Sequence, residues 1–252
     1  MKWGKIVFGV YLTSVLIYLA LDIQAHPDGN LNWSVDSLAV AVLGLMGFFL
    51  RFESRTPPAK EIALLATLSA LAALGRVPFA ALPNVQPTTF LVILAGYVFG
   101  PEAGFAVGAL AALASDFVLG LGPWTPWQMV AWGLAGVTAG GWGRLRQKPP
   151  SRLALVSFAV LWGYLFGLIM NTWHWLTFIY PLNWQTFAAT WAASVWFDTL
   201  HAAGNGLFMW FMGKELISAL ERFKKRLQVT NLAVENQGGD HMKAAVNKII
   251  TL

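Results

Sequence analysis

The chain has 252 residues, 57% of them hydrophobic and only 12% charged, with a formal net charge of +5 and a mean hydropathy of +0.58. That balance excludes an ordinary soluble domain. The basic residues fall in short clusters between apolar segments, as topology signals do, which argues against a nucleic-acid partner. The absence of cysteine removes disulfides, thiolate metal sites and cysteine nucleophiles.

A hydrocarbon core ~30 Å thick and a helical rise of ~1.5 Å per residue call for apolar segments of ~17 to 25 residues, and about eight emerge. The first, Trp3 to Leu21, follows Lys2 and Lys5 as a signal peptide would. It runs too far for a signal core, and no A-x-A-like site precedes Asp22, so it reads as a retained anchor. The second runs from Ser37 to Phe52. RFESRTPPAKE (51–61) then marks a cytoplasmic linker, because proline breaks the helix and charge keeps the backbone in water. The remaining spans are Ile62–Gly75, Thr88–Phe99, Ala103–Leu119, Trp127–Trp142, Leu153–Phe178 and Phe187–Met212, the last continuing as a polar helix toward Arg226. Several are short, which predicts tilted, re-entrant or half-buried helices.

The expected fold is thus an all-α membrane protein of about eight spans, with both termini cytoplasmic. Residues 1–52 form a transmembrane hairpin, 53–60 a linker, 61–227 a six-helix membrane domain and 228–252 a polar cytoplasmic tail. With this topology every Lys and Arg except Arg76 falls on the cytoplasmic side.

Six features bear on function. In the third span Ala63, Ala66, Ala70 and Ala73 form a stripe of small residues, a docking surface either within the bundle or for a partner. Gly96, Gly100, Gly104 and Gly108 recur every fourth residue, interrupted by Pro101; this reads as close helix packing across a tight hairpin. The loop from Val77 to Pro87 is stiffened by Pro78, Pro83 and Pro87, and with Arg76, Asn84 and Gln86 it can cover an outward-facing pocket. LGLGPWTPWQM adds Trp124, Trp127 and Gln128 on the same side, as a cavity wall or an interfacial aromatic belt. Within the spans, Asp116, Asn171, His174, Asp198, His201 and Asn205 are costly in lipid and should face the bundle interior. Asp198, His201 and Asn205 share one helical stripe, where Asp198 can fix the tautomer of His201, either as a structural pair or in a solute site.

Catalytic signatures are missing: there is no H-E-x-x-H, G-x-S-x-G, Walker A or dinucleotide fingerprint. Ser194, Asp198 and His201 on one straight helix make a poor triad, so a membrane enzyme acting on a lipid or prenyl substrate is the lesser alternative. No catalytic residue, metal site or cofactor is expected.

The alanine stripe, FAALPNVQPTTF, GYVFGPEAGFAVGALAAL, GPWTPWQM and FDTLHAAGN together resemble the substrate-binding S components of energy-coupling factor (ECF) vitamin transporters, over Glu61 to about Phe223. The resemblance implies a six-helix body that binds a vitamin near the extracellular face of a prokaryotic plasma membrane. It also implies association with a transmembrane coupling subunit and two cytoplasmic ATPases. Ala66, Ala70 and Ala73 match the docking face, and the loop from Val77 to Pro87 matches the one that closes over the solute. PNVQPTT with GPWTPWQM is most similar to the cobalamin-type components; a queuosine precursor, a pyrimidine vitamin or a flavin are the alternatives. The implied solute-binding set is Arg76, Asn84, Gln86, Trp124, Trp127, Gln128, Asn171, His174, Asp198, His201 and Asn205, with His174 or His201 approaching the cobalt of a corrinoid.

Overall fold

Glycine and proline punctuate the chain where its helices begin and end. The structure, a computed structural model, describes residues 13, 17, 32–53, 59–146 and 149–250. The expected first span apart from residues 13 and 17, most of the 53–60 linker and the basic residues Lys2, Lys5, Arg55 and Lys148 lie outside them. Among the described residues there are seven α-helices and no strand: α1 (Trp33–Glu53), α2 (Ala59–Arg76), α3 (Thr88–Phe99), α4 (Pro101–Leu119), α5 (Thr125–Leu145), α6 (Arg152–Phe178) and α7 (Trp184–Ile250). A single 3₁₀ turn, Val77–Phe79, follows α2. Gly100, at φ 104°, is the one residue between α3 and α4; its left-handed backbone lets the chain reverse, and Pro101 restarts it where no amide hydrogen is needed. Pro126 does the same near the start of α5. At the start of α6 the Ser151 side chain accepts a hydrogen bond from the Ala154 amide at 3.1 Å.

The innermost helix is α3. Ten of its twelve residues are buried, so it is apolar on every side, as an interior helix must be. At about 18 Å it is too short to cross a bilayer alone. It sits against α4 and α5, and the α4–α5 and α3–α5 contacts are the most extensive between helices among the described residues. Glycines make that possible. A Cβ on Gly96 or Gly104 would overlap the backbone of Gly136, one on Gly108 the Trp132 carbonyl, and one on Gly140 the Gly100–Pro101 peptide. The glycine ladder is therefore a packing device whose partner is a second ladder on α5, Gly133, Gly136, Gly140 and Gly143.

Among the described residues three helical stretches are long and apolar enough to cross a membrane, Ala59–Phe79, Pro101–Leu119 and Arg152–Phe178; Ser34–Leu50 and Thr88–Phe99 are shorter apolar helices. The outer faces carry large apolar side chains, among them Leu71, Leu74, Leu161, Trp196 and Phe211, which suits contact with lipid. The helix expected to follow the first span, α1, packs on α5 and α6, and its Phe48 ring meets Phe105 of α4 at 4.0 Å. On α2, Ala63, Ala66 and Ala70 are exposed, so three members of the stripe face away from the bundle. Ala73, expected to dock with them, is instead buried, near the end of α2 where the 3₁₀ turn packs back.

The chain divides into two compact units after Lys214. Within the second unit, the backbone is helical to Ile250, through most of the stretch expected as a polar tail.

Gly136→Val is expected to lower stability by about 3 kcal/mol or more, because backbone blocks the added atoms and no side chain can yield. Gly141→Ala, at a site with open space around the added carbon, should be neutral or stabilising by up to about 1 kcal/mol. Thermal unfolding in detergent checks both.

Candidate functional site

The polar residues of the spans gather into two groups at the end of the bundle that carries the 77–87 loop. The first is built on an ion pair. Arg76, the last residue of α2, donates from Nη1 to Asp116 Oδ1 at 2.6 Å and to Ser115 Oγ at 2.8 Å, and from Nε to Gln86 Oε1 at 2.9 Å. Asp116 Oδ2 accepts from Thr125 Oγ1 at 2.7 Å. Gln128, with its amide oriented to donate, lies 3.2 Å from both carboxylate oxygens. The Asp116 side chain is 1% exposed and that of Arg76 12%, so the cation and carboxylate neutralise one another away from solvent. This accounts for Arg76, the one cation that the expected topology puts on the outer side: it answers the carboxylate of α4.

A cation–ring contact followed by hydrogen bonds leads from this pair to α7. The Arg76 guanidinium lies 5.1 Å from the centroid of the Trp132 ring. Trp132 Nε1 donates to Thr89 Oγ1 at 2.8 Å, and Thr89 Oγ1 meets His201 Nε2 at 2.8 Å. On the other side of the imidazole, Nδ1 is 3.1 Å from Asn84 Oδ1, while Asn84 Nδ2 donates to the Phe197 carbonyl at 3.1 Å. Because the Asn84 amide spends its N–H on that carbonyl, its oxygen must accept, and the His201 proton belongs on Nδ1. The ring also stacks on Phe166, with centroids 5.0 Å apart and planes 2° from parallel, and Phe166 in turn stacks on Trp132 at 4.8 Å.

Asn84 is therefore the clasp of the loop. It takes φ 57°, a left-handed conformation that asparagine tolerates. Next to it, Val85 rests on α7 where Gly204 offers no side chain, and Phe79 meets Phe208 edge-on at 5.5 Å.

The second group joins α6 to α7. Asn171 Nδ2 donates to Ser194 Oγ at 2.6 Å and to Asp198 Oδ2 at 2.9 Å, and Ser194 Oγ lies 2.8 Å from the same carboxylate oxygen. Gly167 makes room, since a Cβ there would occupy the position of the Asp198 carboxylate. Beside this triad opens a cavity of about 560 Å³ lined by Asn171, His174, Thr190, Ser194, Phe197 and neighbouring residues of α6, α7 and their connection. His174 is exposed there, edge-on to Trp173 and tilted against Phe178.

These positions revise the expected single pocket. Of the eleven candidate residues, only Asn171 and His174 line this cavity. Arg76 and Gln128 are engaged with Asp116 instead, because a buried carboxylate draws donors to it, and Gln86 Oε1 accepts from the Arg76 guanidinium. Asp198 does not orient His201: the carboxylate faces α6 and the imidazole faces α3 and the loop, so residues three apart on one helix serve different neighbours. For the same reason Ser194, Asp198 and His201 form no triad. The Trp124 ring covers Gly122, and Trp127 is half-buried, with an indole N–H that has no partner among the described residues. Asn205 is fully buried one turn beyond His201, and neither atom of its amide has a partner among the described residues. Thr89, Trp132 and Phe166, which the sequence reading passed over, hold the relay together; an aromatic or threonine within an apolar span carries no signal of its own.

A family model described as "ECF transporter, substrate-specific component" matches residues 60–213, more than half of the chain. No curated protein and no solved structure matches it.

Arg76→Leu is expected to cost about 3–5 kcal/mol by leaving Asp116 buried without its cation, and Arg76→Leu with Asp116→Leu should recover most of that loss. Thermal melting of the two variants beside the parent protein measures the difference.

Proposed function

The chain belongs to the family of ECF transporter substrate-specific components, and on that premise we propose that it captures a micronutrient at the outer side of a prokaryotic plasma membrane for ATP-driven uptake. A member of this family is a transporter subunit, not an enzyme. The proposed partners are a transmembrane coupling subunit and two cytoplasmic ATPases that supply the energy. The observation that carries the binding site is the cavity between α6 and α7, bordered by the stretch of helix to which the loop is clasped. Phe197 both lines the cavity and accepts the hydrogen bond from Asn84 through its carbonyl, so the loop is tied to the helix that forms one wall of the site. His201 and Asn84 act here as the latch, and Arg76 with Asp116 as the fixed post from which the loop departs.

Size bears on the solute. Pockets for drug-sized molecules span ~300–1,000 Å³, and a queuosine precursor, a pyrimidine vitamin or a flavin fits that range. We place these ahead of cobalamin, which would leave much of its macrocycle outside the cavity. One observation favours the corrinoid as second reading: the His174 ring stands in the cavity and makes no hydrogen bond among the described residues, so it is available as an axial ligand. His201, with both nitrogens engaged, is not.

Docking on the coupling subunit is assigned to the exposed face of α2 around Ala63, Ala66 and Ala70, where small side chains allow close helix approach. Ala66→Leu with Ala70→Leu should abolish co-purification of the coupling subunit while leaving solute affinity within about twofold of the parent. For the site, mass spectrometry of small molecules released from detergent-purified protein should find one micronutrient at near-stoichiometric amount. Asn84→Ala should speed its release about tenfold, by loss of two hydrogen bonds that close the loop. A visible spectrum of bound cobalamin unchanged by His174→Ala would exclude axial ligation.

A further inference from the structure

The polar end of the cavity has a defined hydrogen-bonding sense. A carboxylate only accepts hydrogen bonds, and Asp198 Oδ2 takes them from Asn171 Nδ2 at 2.9 Å and from Ser194 Oγ at 2.8 Å. The second hydrogen of the Asn171 amide goes to Ser194 Oγ at 2.6 Å. Both donors of Asn171 are thereby spent, and the amide cannot turn over without setting its oxygen against the carboxylate. Its Oδ1 makes no hydrogen bond among the described residues, and Asn171 lines the cavity. Behind it stands a carboxylate, 7% exposed, that makes no ion pair among the described residues, since the guanidinium of Arg76 is taken by Asp116. The site thus offers an acceptor backed by negative charge.

We infer that the solute presents an N–H donor, an amide, amino or ring N–H group, to Asn171 Oδ1, and that a carboxylate or phosphate is rejected at this position. Asp198 is a positioning residue: it holds the amide in its accepting orientation and sets the charge of the site without itself lining the cavity. The inference rests on the solute-binding reading of this cavity and adds the chemical class that the cavity selects.

Two matched pairs of probes that differ only in amide against carboxylate test it, nicotinamide against nicotinate and biotinamide against biotin, titrated by calorimetry into the full-length protein in detergent. The amide member of each pair is expected to bind at least about tenfold more tightly than the acid. In Asp198→Asn the Asn171 amide is free to turn and the charge is gone, so the preference should shrink to within about threefold. Asn171→Leu, which removes the acceptor, should abolish the preference as well, and it carries the test if melting curves show that Asp198→Asn does not fold. An acid that binds as tightly as its amide, or a preference that survives in the folded variants, overturns the inference while leaving the cavity as a solute site. Binding by none of the four probes overturns the cavity reading itself.

Discussion

Contact between backbones, not between side chains, holds the centre of this molecule together. α3, α4 and α5 approach so closely that Gly96, Gly104 and Gly136 meet with no room for a single added carbon. In lipid there is no hydrophobic drive to push apolar helices together, so association must come from close packing, and two facing glycine ladders supply it. The consequences reach beyond the seam. Because Gly108 lies on the Trp132 backbone, the indole is carried to within reach of Thr89 on α3 and of the Arg76 guanidinium at the end of α2. The relay to His201 and the loop depends on that approach.

Around this seam, charge is handled by exact pairing of donors and acceptors. Asp116 gathers an arginine from the end of α2 and a threonine and a glutamine from the first turns of α5, and Asp198 gathers an asparagine from α6 and a serine from its own helix. A buried carboxylate without such partners would be expensive, which is why both gather donors. The two differ in what they leave over. At Asp116 the cation consumes the charge and nothing is offered outward. At Asp198 there is no cation among the described residues, and the surplus accepting capacity is passed to a residue that lines a cavity. The first arrangement suits a structural post, and the second suits recognition.

The loop from Val77 to Pro87 joins these parts. It leaves Arg76 at one end and is clasped to α7 through Asn84 and Val85, so one short segment ties the post to the helix that borders the cavity. Its prolines limit the conformations it can explore when released, which lowers the entropy lost when it closes again.

Much of the architecture was legible in the residues. Apolar length gave the helices: α3 runs over Thr88–Phe99 as the pattern predicts, and the others begin or end within a few residues of expectation. The glycine ladder reads as packing because a repeat every fourth residue can only line one helix face. The family followed from motifs taken as a set, and the match over residues 60–213 agrees. Which polar residues meet was a different matter. Asp198, His201 and Asn205 share a stripe, yet one bonds α6, one bonds α3 and the loop, and one has no hydrogen bond among the described residues. Spacing along a helix sets the direction of a side chain only to within the width of a face, whereas a hydrogen bond needs a partner within about 3 Å. That partner comes from another segment, so the sequence alone determined the helices, their lipid-facing character and the residues too polar to be idle. The tertiary structure decided their pairing, because only packing brings the other half of each hydrogen bond into range.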